Sequence, residues 1–136
     1  MKQKILYTGS KDNVYFILKK HFNDIDALFD EPHHNIFSGY CPKTIDLQRL
    51  TELTSINQYD AIVIEDYGTK AYFQGPGPGI SYAPVIGDLE TPKVVVWSLL
   101  NDFLEKRINP YEEQFKNIHS ATNDTVIGVL EDIFEK

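Results

Sequence analysis

The residues of this sequence that could do chemistry gather in short polar clusters, each following an apolar run. Thr8-Gly9-Ser10 stands between the run Lys4-Ile-Leu-Tyr7 and a helical pattern. Free N–H groups and the helix dipole favour an anion at such a place, so the segment could cradle a phosphate. It lacks the full glycine fingerprint of a dinucleotide site or a P-loop, and the plainer reading is a capped strand-to-helix turn. Glu65-Asp66 closes the run Tyr59–Ile64 and could serve as a metal or acid/base pair. Adjacent strand residues point to opposite faces, so the two share neither a proton nor an ion unless the strand has ended. One is expected to face a strand-end crevice, where carboxyl groups are often perturbed, and the other to face solvent. Ser98, after Lys93–Trp97, could act on an anion together with His119 and Ser120. No spacing there sets a nucleophile, a base and an orienting group, and capping is the safer role for Ser120.

Residues 68–90 have a different character. They hold five of the eight glycines and three of the seven prolines, so a regular helix is not expected there. Such a long connection is a candidate lid or contact surface, with Tyr72, Phe73 and Tyr82 as aromatic anchors for a partner. The plainer alternative is a mobile tether. His33, His34 and Cys41 do not make a metal site, because adjacent histidines bind one ion poorly and further ligands are missing. Cys41 is the only cysteine, which excludes an intramolecular disulfide. No metal and no cofactor is expected.

The elements that must position these clusters follow from periodicity. Lys4–Thr8 reads as a buried strand, and Val14, Ile17, Leu18 and Phe22 mark a helix over 12–22, with Ser10 or Asp12 as its cap. Ile25–Phe29 is a weaker strand, and the stretch 30–42, with Pro32, Gly39 and Pro42, must be irregular. Leu47, Leu50 and Leu53 form one side of an amphipathic stretch over 44–55. Tyr59–Ile64 and Lys93–Trp97 are strong strands, with a helix over 99–108 stopped by Asn109-Pro110. Phe115–His119 is a short last strand. The closing helix carries Val126, Val129, Leu130, Ile133 and Phe134 behind a cap at Thr122, Asn123 or Asp124.

Strands alternating with helices predict one domain over residues 1–136, a three-layer α/β/α sandwich with a five-stranded, mainly parallel sheet. Ligands of such folds sit at the carboxyl ends of the strands, where Thr8–Ser10, Glu65-Asp66, Ser98 and His119-Ser120 all fall.

Composition excludes some partners. The chain has 136 residues, with 13 Lys and Arg against 20 Asp and Glu, a net charge of −7. That balance repels nucleic-acid backbones and acidic membrane surfaces while leaving room for a small local anion site. No apolar run approaches the roughly 20 residues of a membrane span, and no secretory signal opens the chain, so a cytoplasmic protein is expected.

The order of elements, with Lys4–Ser10, Tyr59–Asp66, Pro92–Ser98 and the closing helix, resembles the receiver domain of bacterial response regulators over nearly the whole chain. The resemblance implies a cation-holding acidic pair at positions that here are Gly9 and Ser10, with Asp12 the nearest carboxylate. It places the phospho-acceptor at Glu65, or at Asp66 if the register slips by one, and the hydroxyl position at Ser98. The family's lysine falls near His119 or Ser120. Without the cation cage and the lysine, charge on a transferring phosphoryl group lacks its stabilisers, and Glu65 would put a permanent negative charge where the phosphoryl group belongs. The resemblance therefore implies an atypical receiver: a non-enzymatic regulatory module in signal transduction, meeting another protein or a second copy of itself. Flavodoxin-like folds share the topology, so the alternative is a domain binding a small phosphorylated ligand or nucleotide at Thr8–Ser10, Ser98 and Ser120, under the 68–90 loop. An enzyme using Glu65 or Asp66 as acid/base ranks last.

Overall fold

A computed structural model describes residues 3–32, 43–66, 78–97 and 111–135. Among these, the strands are β1 (Lys4–Gly9), β2 (Asp24–Phe29), β3 (Glu31–Pro32), β4 (Lys43–Thr44), β5 (Ala61–Asp66), β6 (Lys93–Trp97) and β7 (Ile118–Thr122). The helices are α1 (Asn13–His21), α2 (Leu47–Ile56), α3 (Ala83–Ile86) and α4 (Val126–Phe134), with a 3₁₀ turn at Pro78–Tyr82 and a helical turn at 111–114.

Five strands form one parallel sheet in the order β2-β1-β5-β6-β7, and β3 pairs with β4 as a small antiparallel ribbon. β1, β5 and β6 have neighbours on both edges and helices on both faces. That double burial is why they read as unbroken apolar runs. Alternation along each strand then sorts the side chains. Leu6, Ile62, Ile64, Val95 and Trp97 pack on one face against Leu50, Ile86, Tyr111 and Phe115. Ile5, Tyr7, Val63, Val94 and Val96 pack on the other against Val14 and Leu18 of α1 and Val126 and Leu130 of α4. The expected three layers are present. Each fully buried aliphatic side chain of these cores contributes about 1.5–3 kcal/mol, so this burial dominates stability.

Several boundaries differ from the sequence expectation. The last strand is Ile118–Thr122, because Phe115 closes a helical turn through its N–H to Tyr111 O and Asn117 (φ 51°) breaks the chain direction before the strand begins. Helical structure does occur within 68–90: the 3₁₀ turn at Pro78–Tyr82 leads directly into α3. Pro84 is tolerated because it sits in the first turn, where its missing N–H would have had no intrahelical partner. α2 is capped by Asp46, whose Oδ1 accepts from Gln48 N and Arg49 N at 3.0 and 3.2 Å, while Thr44 belongs to β4. Leu47, expected on the buried side, is exposed. Neither Ser10 nor Asp12 caps α1 with its side chain, and α4 starts after Thr125 with no side-chain cap. The expected helix over 99–108 and most of the 30–42 connection lie outside the described residues.

One lysine is fully buried within the apolar run of β6. Lys93 Nζ donates to the carbonyls of Leu89, Lys116 (2.8 Å) and Gly87 (3.5 Å), tying the loop after α3 to the entry of β7. Burial pulls its ammonium down to about 8, against the opposing charges of Glu90 and Asp88.

Candidate functional site

The carboxyl ends of β1, β2 and β5 meet at one edge of the sheet, and the register fixes which side chains face each other there. Thr8 pairs with Leu28 of β2 and Ile64 of β5, and Gly9 with Phe29 of β2, so Ser10 leaves the sheet beside Glu65. Gly9 has φ 143°, and a Cβ built on it would lie 2.6 Å from the Glu65 Cβ and 2.9 Å from the Tyr7 hydroxyl. Only glycine allows that crossing.

Every polar group of Ser10 is engaged from within. Its N–H donates to Glu65 Oε1 at 2.9 Å, and its Oγ lies 3.2 Å from both carboxylate oxygens of Asp30. Its carbonyl accepts from the Tyr7 hydroxyl and from Asp12 N at 2.9 Å. Thr8 Oγ1 is also turned inward and donates to Val63 O at 3.0 Å. The expected phosphate cradle at Thr8-Gly9-Ser10 is thus corrected in part: Thr8 offers no free hydroxyl, and the Ser10 N–H already holds a carboxyl group of the protein. The group that the Ser10 N–H holds is internal, the Glu65 carboxyl.

Glu65 and Asp66 point to opposite sides of the sheet edge, as their adjacency requires. The expectation that one of them meets solvent is overturned, since Glu65 is 2% and Asp66 1% exposed. Glu65 pairs with Val96 and Asp66 with Trp97 of β6, and Gly9 stands against Glu65 on the β1 side. Asp66 accepts from the Tyr111 hydroxyl on one side. On the other, Glu65 meets Ser10, and its Oε2 is buried with no donor reaching it among the described residues. Burial, a hydrogen bond with Asp12 and the charges of Asp12 and Asp30 push the Glu65 carboxyl up to about 8, with the Ser10 N–H opposing them. Burial and the neighbouring carboxyl groups favour the neutral acid form of Glu65 over the permanent charge that the receiver resemblance implied there. The same carboxyl groups act on the phenols around them. Burial first, then Glu65, Asp12 and Asp30, holds the Tyr7 hydroxyl far above its ordinary range. Tyr82 is raised by burial and by Asp30, Asp66 and Glu65.

The remaining candidates are dispersed. Ser120 lies inside β7 opposite Val95, where its Oγ accepts from the Trp97 indole Nε1 at 2.9 Å, so it caps nothing. Tyr82 is 2% exposed and packs in the core with Trp97 and Tyr111, which corrects its role as a surface anchor. Ser98, Tyr72 and Phe73 lie outside the described residues. The edge instead assembles Tyr7, Asp12, Asp30 and Tyr111 around Glu65 and Asp66. Asp30 had a legible signal, since it directly follows β2 at a strand end. Tyr7 looked like one more apolar strand residue, and Tyr111 reaches Asp66 only through tertiary packing.

Among the described residues no group of three or more His, Cys, Asp or Glu is arranged to hold a metal ion, and no helix is long and apolar enough to cross a membrane. A groove of about 330 Å³ between the end of α2 and the start of β5, lined by Thr54, Tyr59, Ile62, Leu89 and Thr91, includes none of the strand-end carboxyl residues.

No protein-family model matches this sequence, and no curated protein matches it. Among solved structures, a flavoprotein in complex with FMN from Lactobacillus acidophilus NCFM superposes with a TM-score of 0.67, over 96% of this chain and 99% of that one. The fold is flavodoxin-like. At 10% identity the likeness concerns architecture alone. It supports the expected α/β class, and the resemblance to receivers holds only at this shared level of a parallel five-stranded flavodoxin-like sheet.

Proposed function

We propose that this flavodoxin-like domain is a non-enzymatic regulatory or protein-interaction module that works without a receiver's metal-dependent phosphorylation. The observation that carries this reading is the Ser10 N–H donating to Glu65 Oε1 at 2.9 Å. The donor that an incoming phosphate would use at the end of β1 is bound by the protein's own carboxyl group, and Asp12 and Asp30 stand beside it. A phosphate would have to displace Glu65 and then meet two carboxylates, which disfavours it. The positions of a receiver's acidic pair hold Gly9 and Ser10, and the described residues of β7 include no lysine. The partner is a second protein or another copy of the chain, with the exposed Phe16 and Ile56 as apolar contact points. Incubation with Mg²⁺ and acetyl phosphate, followed by intact mass measurement, is expected to leave the mass unchanged. Stoichiometric addition of a phosphoryl group at Glu65 or Asp66 would overturn the reading.

A second reading is favoured by one finding: the structural neighbour that spans 96% of this chain is described in complex with FMN. On that reading a phosphorylated ligand binds along the same sheet edge. Titrating FMN with the protein and following flavin fluorescence separates the two. The first reading expects no saturable quenching.

A further inference from the structure

We propose that Glu65 and Asp12 form a carboxyl pair that holds one proton between them, and that this proton latches the loop between β1 and α1 onto the end of β5. The geometry assigns the two oxygens of Glu65 different work. Oε1 accepts from the Ser10 N–H, whereas Oε2 is enclosed and no N–H or O–H among the described residues reaches it. A buried carboxylate oxygen without a donor is strongly disfavoured, and a buried carboxylic acid is not. Asp12 is hydrogen-bonded to Glu65, and two carboxyl groups can bond to each other only when one of them carries a proton. The proton therefore resides on the Glu65 oxygen that the Ser10 amide does not use, and it is donated toward Asp12.

Among the described residues, Tyr7 faces Glu65 from β1, Asp12 from the loop, Asp30 from the end of β2, and Tyr82 from the 3₁₀ turn. The nearby cation Lys11 is placed over the Phe29 ring at 5.7 Å. The carboxyl groups of Asp12 and Asp30 resist a second negative charge there, whereas the Ser10 N–H and the Tyr7 hydroxyl favour it. Loss of the proton to solvent would leave a buried charge on Glu65 against Asp12, and separating the two means parting the loop from β5. Ser10 and Asp12 would move together, because Asp12 N donates to Ser10 O and Ser10 N to Glu65. The latch would make the strand-end edge respond to pH, to a neighbouring cation, or to any partner that supplies a donor to Glu65. It goes beyond the proposed function and stands whether or not that reading holds.

The test follows the Ser10 amide of ¹⁵N-labelled protein by NMR between pH 5 and 9.5. A single titration is expected, with its midpoint within roughly one unit of 8. Glu65→Gln presents an oxygen to Ser10 and an N–H to Asp12, so the titration should vanish while the amide keeps its bonded shift. Asp12→Asn supplies Glu65 with a permanent donor and removes a charge, so the midpoint should fall by about one unit or more. A wild-type midpoint in the ordinary carboxylate range near about 4.3 would overturn the proposal. So would a Ser10 titration that survives Glu65→Gln, or a midpoint unmoved by Asp12→Asn. If the glutamine variant fails to fold, the wild type and Asp12→Asn decide.

Discussion

Gly9 and Glu65, 56 positions apart in the chain, meet so closely that a Cβ on Gly9 would stand 2.6 Å from the Glu65 Cβ. The crossing brings the end of β1 against the end of β5 and makes the bond from the Ser10 N–H to Glu65 possible. Gly9 also sits at φ 143°, which a side chain disfavours. Gly9→Ala should therefore lower stability by about 1–3 kcal/mol in urea unfolding. A loss below about 0.5 kcal/mol would mean that the crossing is not as tight as described.

Glu65 also dictates a pH dependence. Its folded-state value, about 8, lies above its ordinary 4.5, so between these values the native state binds more protons than the unfolded one. The stability it contributes is fully present below pH 4.5 and is lost as the pH rises through 8. The decline should approach ~1.4 kcal/mol per pH unit at its steepest. Glu65→Gln removes this titration, so unfolding curves of the variant should flatten over that window relative to wild type. Parallel profiles for the two proteins would contradict the assignment.

Lys93 is a structural clamp at the opposite edge of the sheet. Replacing it with Met keeps most of its apolar stem and leaves the carbonyls of Gly87, Leu89 and Lys116 without their shared donor. A loss of about 2–4 kcal/mol is expected by chemical denaturation. Faster hydrogen exchange should follow at the Lys116 amide, which donates to Gly87 O. A variant as stable as wild type would show that the cage of carbonyls carries no net stabilisation.

Tyr111 ties a helical turn to Asp66 and lies edge-on to Trp97 at 5.7 Å between ring centroids. Tyr111→Phe keeps the ring contact and removes the donor to a buried carboxyl, so it should destabilise by about 1–3 kcal/mol. Tryptophan emission in the folded state should change little, because the ring stays. A large spectral shift would indicate that the hydroxyl, not the ring, places Trp97.

Much of the fold was legible because burial leaves a periodic trace. The unbroken runs Ile5–Tyr7, Ala61–Ile64 and Val94–Trp97 could only be strands covered on both faces, and Val14 with Leu18, or Val126 with Leu130, could only be helix faces laid on them. The alternation of these patterns determined a parallel three-layer sheet, and the strand-end rule pointed to Thr8–Ser10 and Glu65-Asp66. Boundaries were lost where one backbone angle decides them, as at Asn117, or where a proline falls in a permitted first turn, as at Pro84. What only the tertiary structure decided is the state of the site. Sequence can place a glutamate at the end of a strand, but the charge on that glutamate depends on what surrounds it. Asp12 and Asp30 come from other elements, and it is their convergence on a buried oxygen that turns the expected anion into a proton-holding acid. Periodicity is local and survives in one dimension; desolvation and the field of neighbouring charges exist only after the chain has folded.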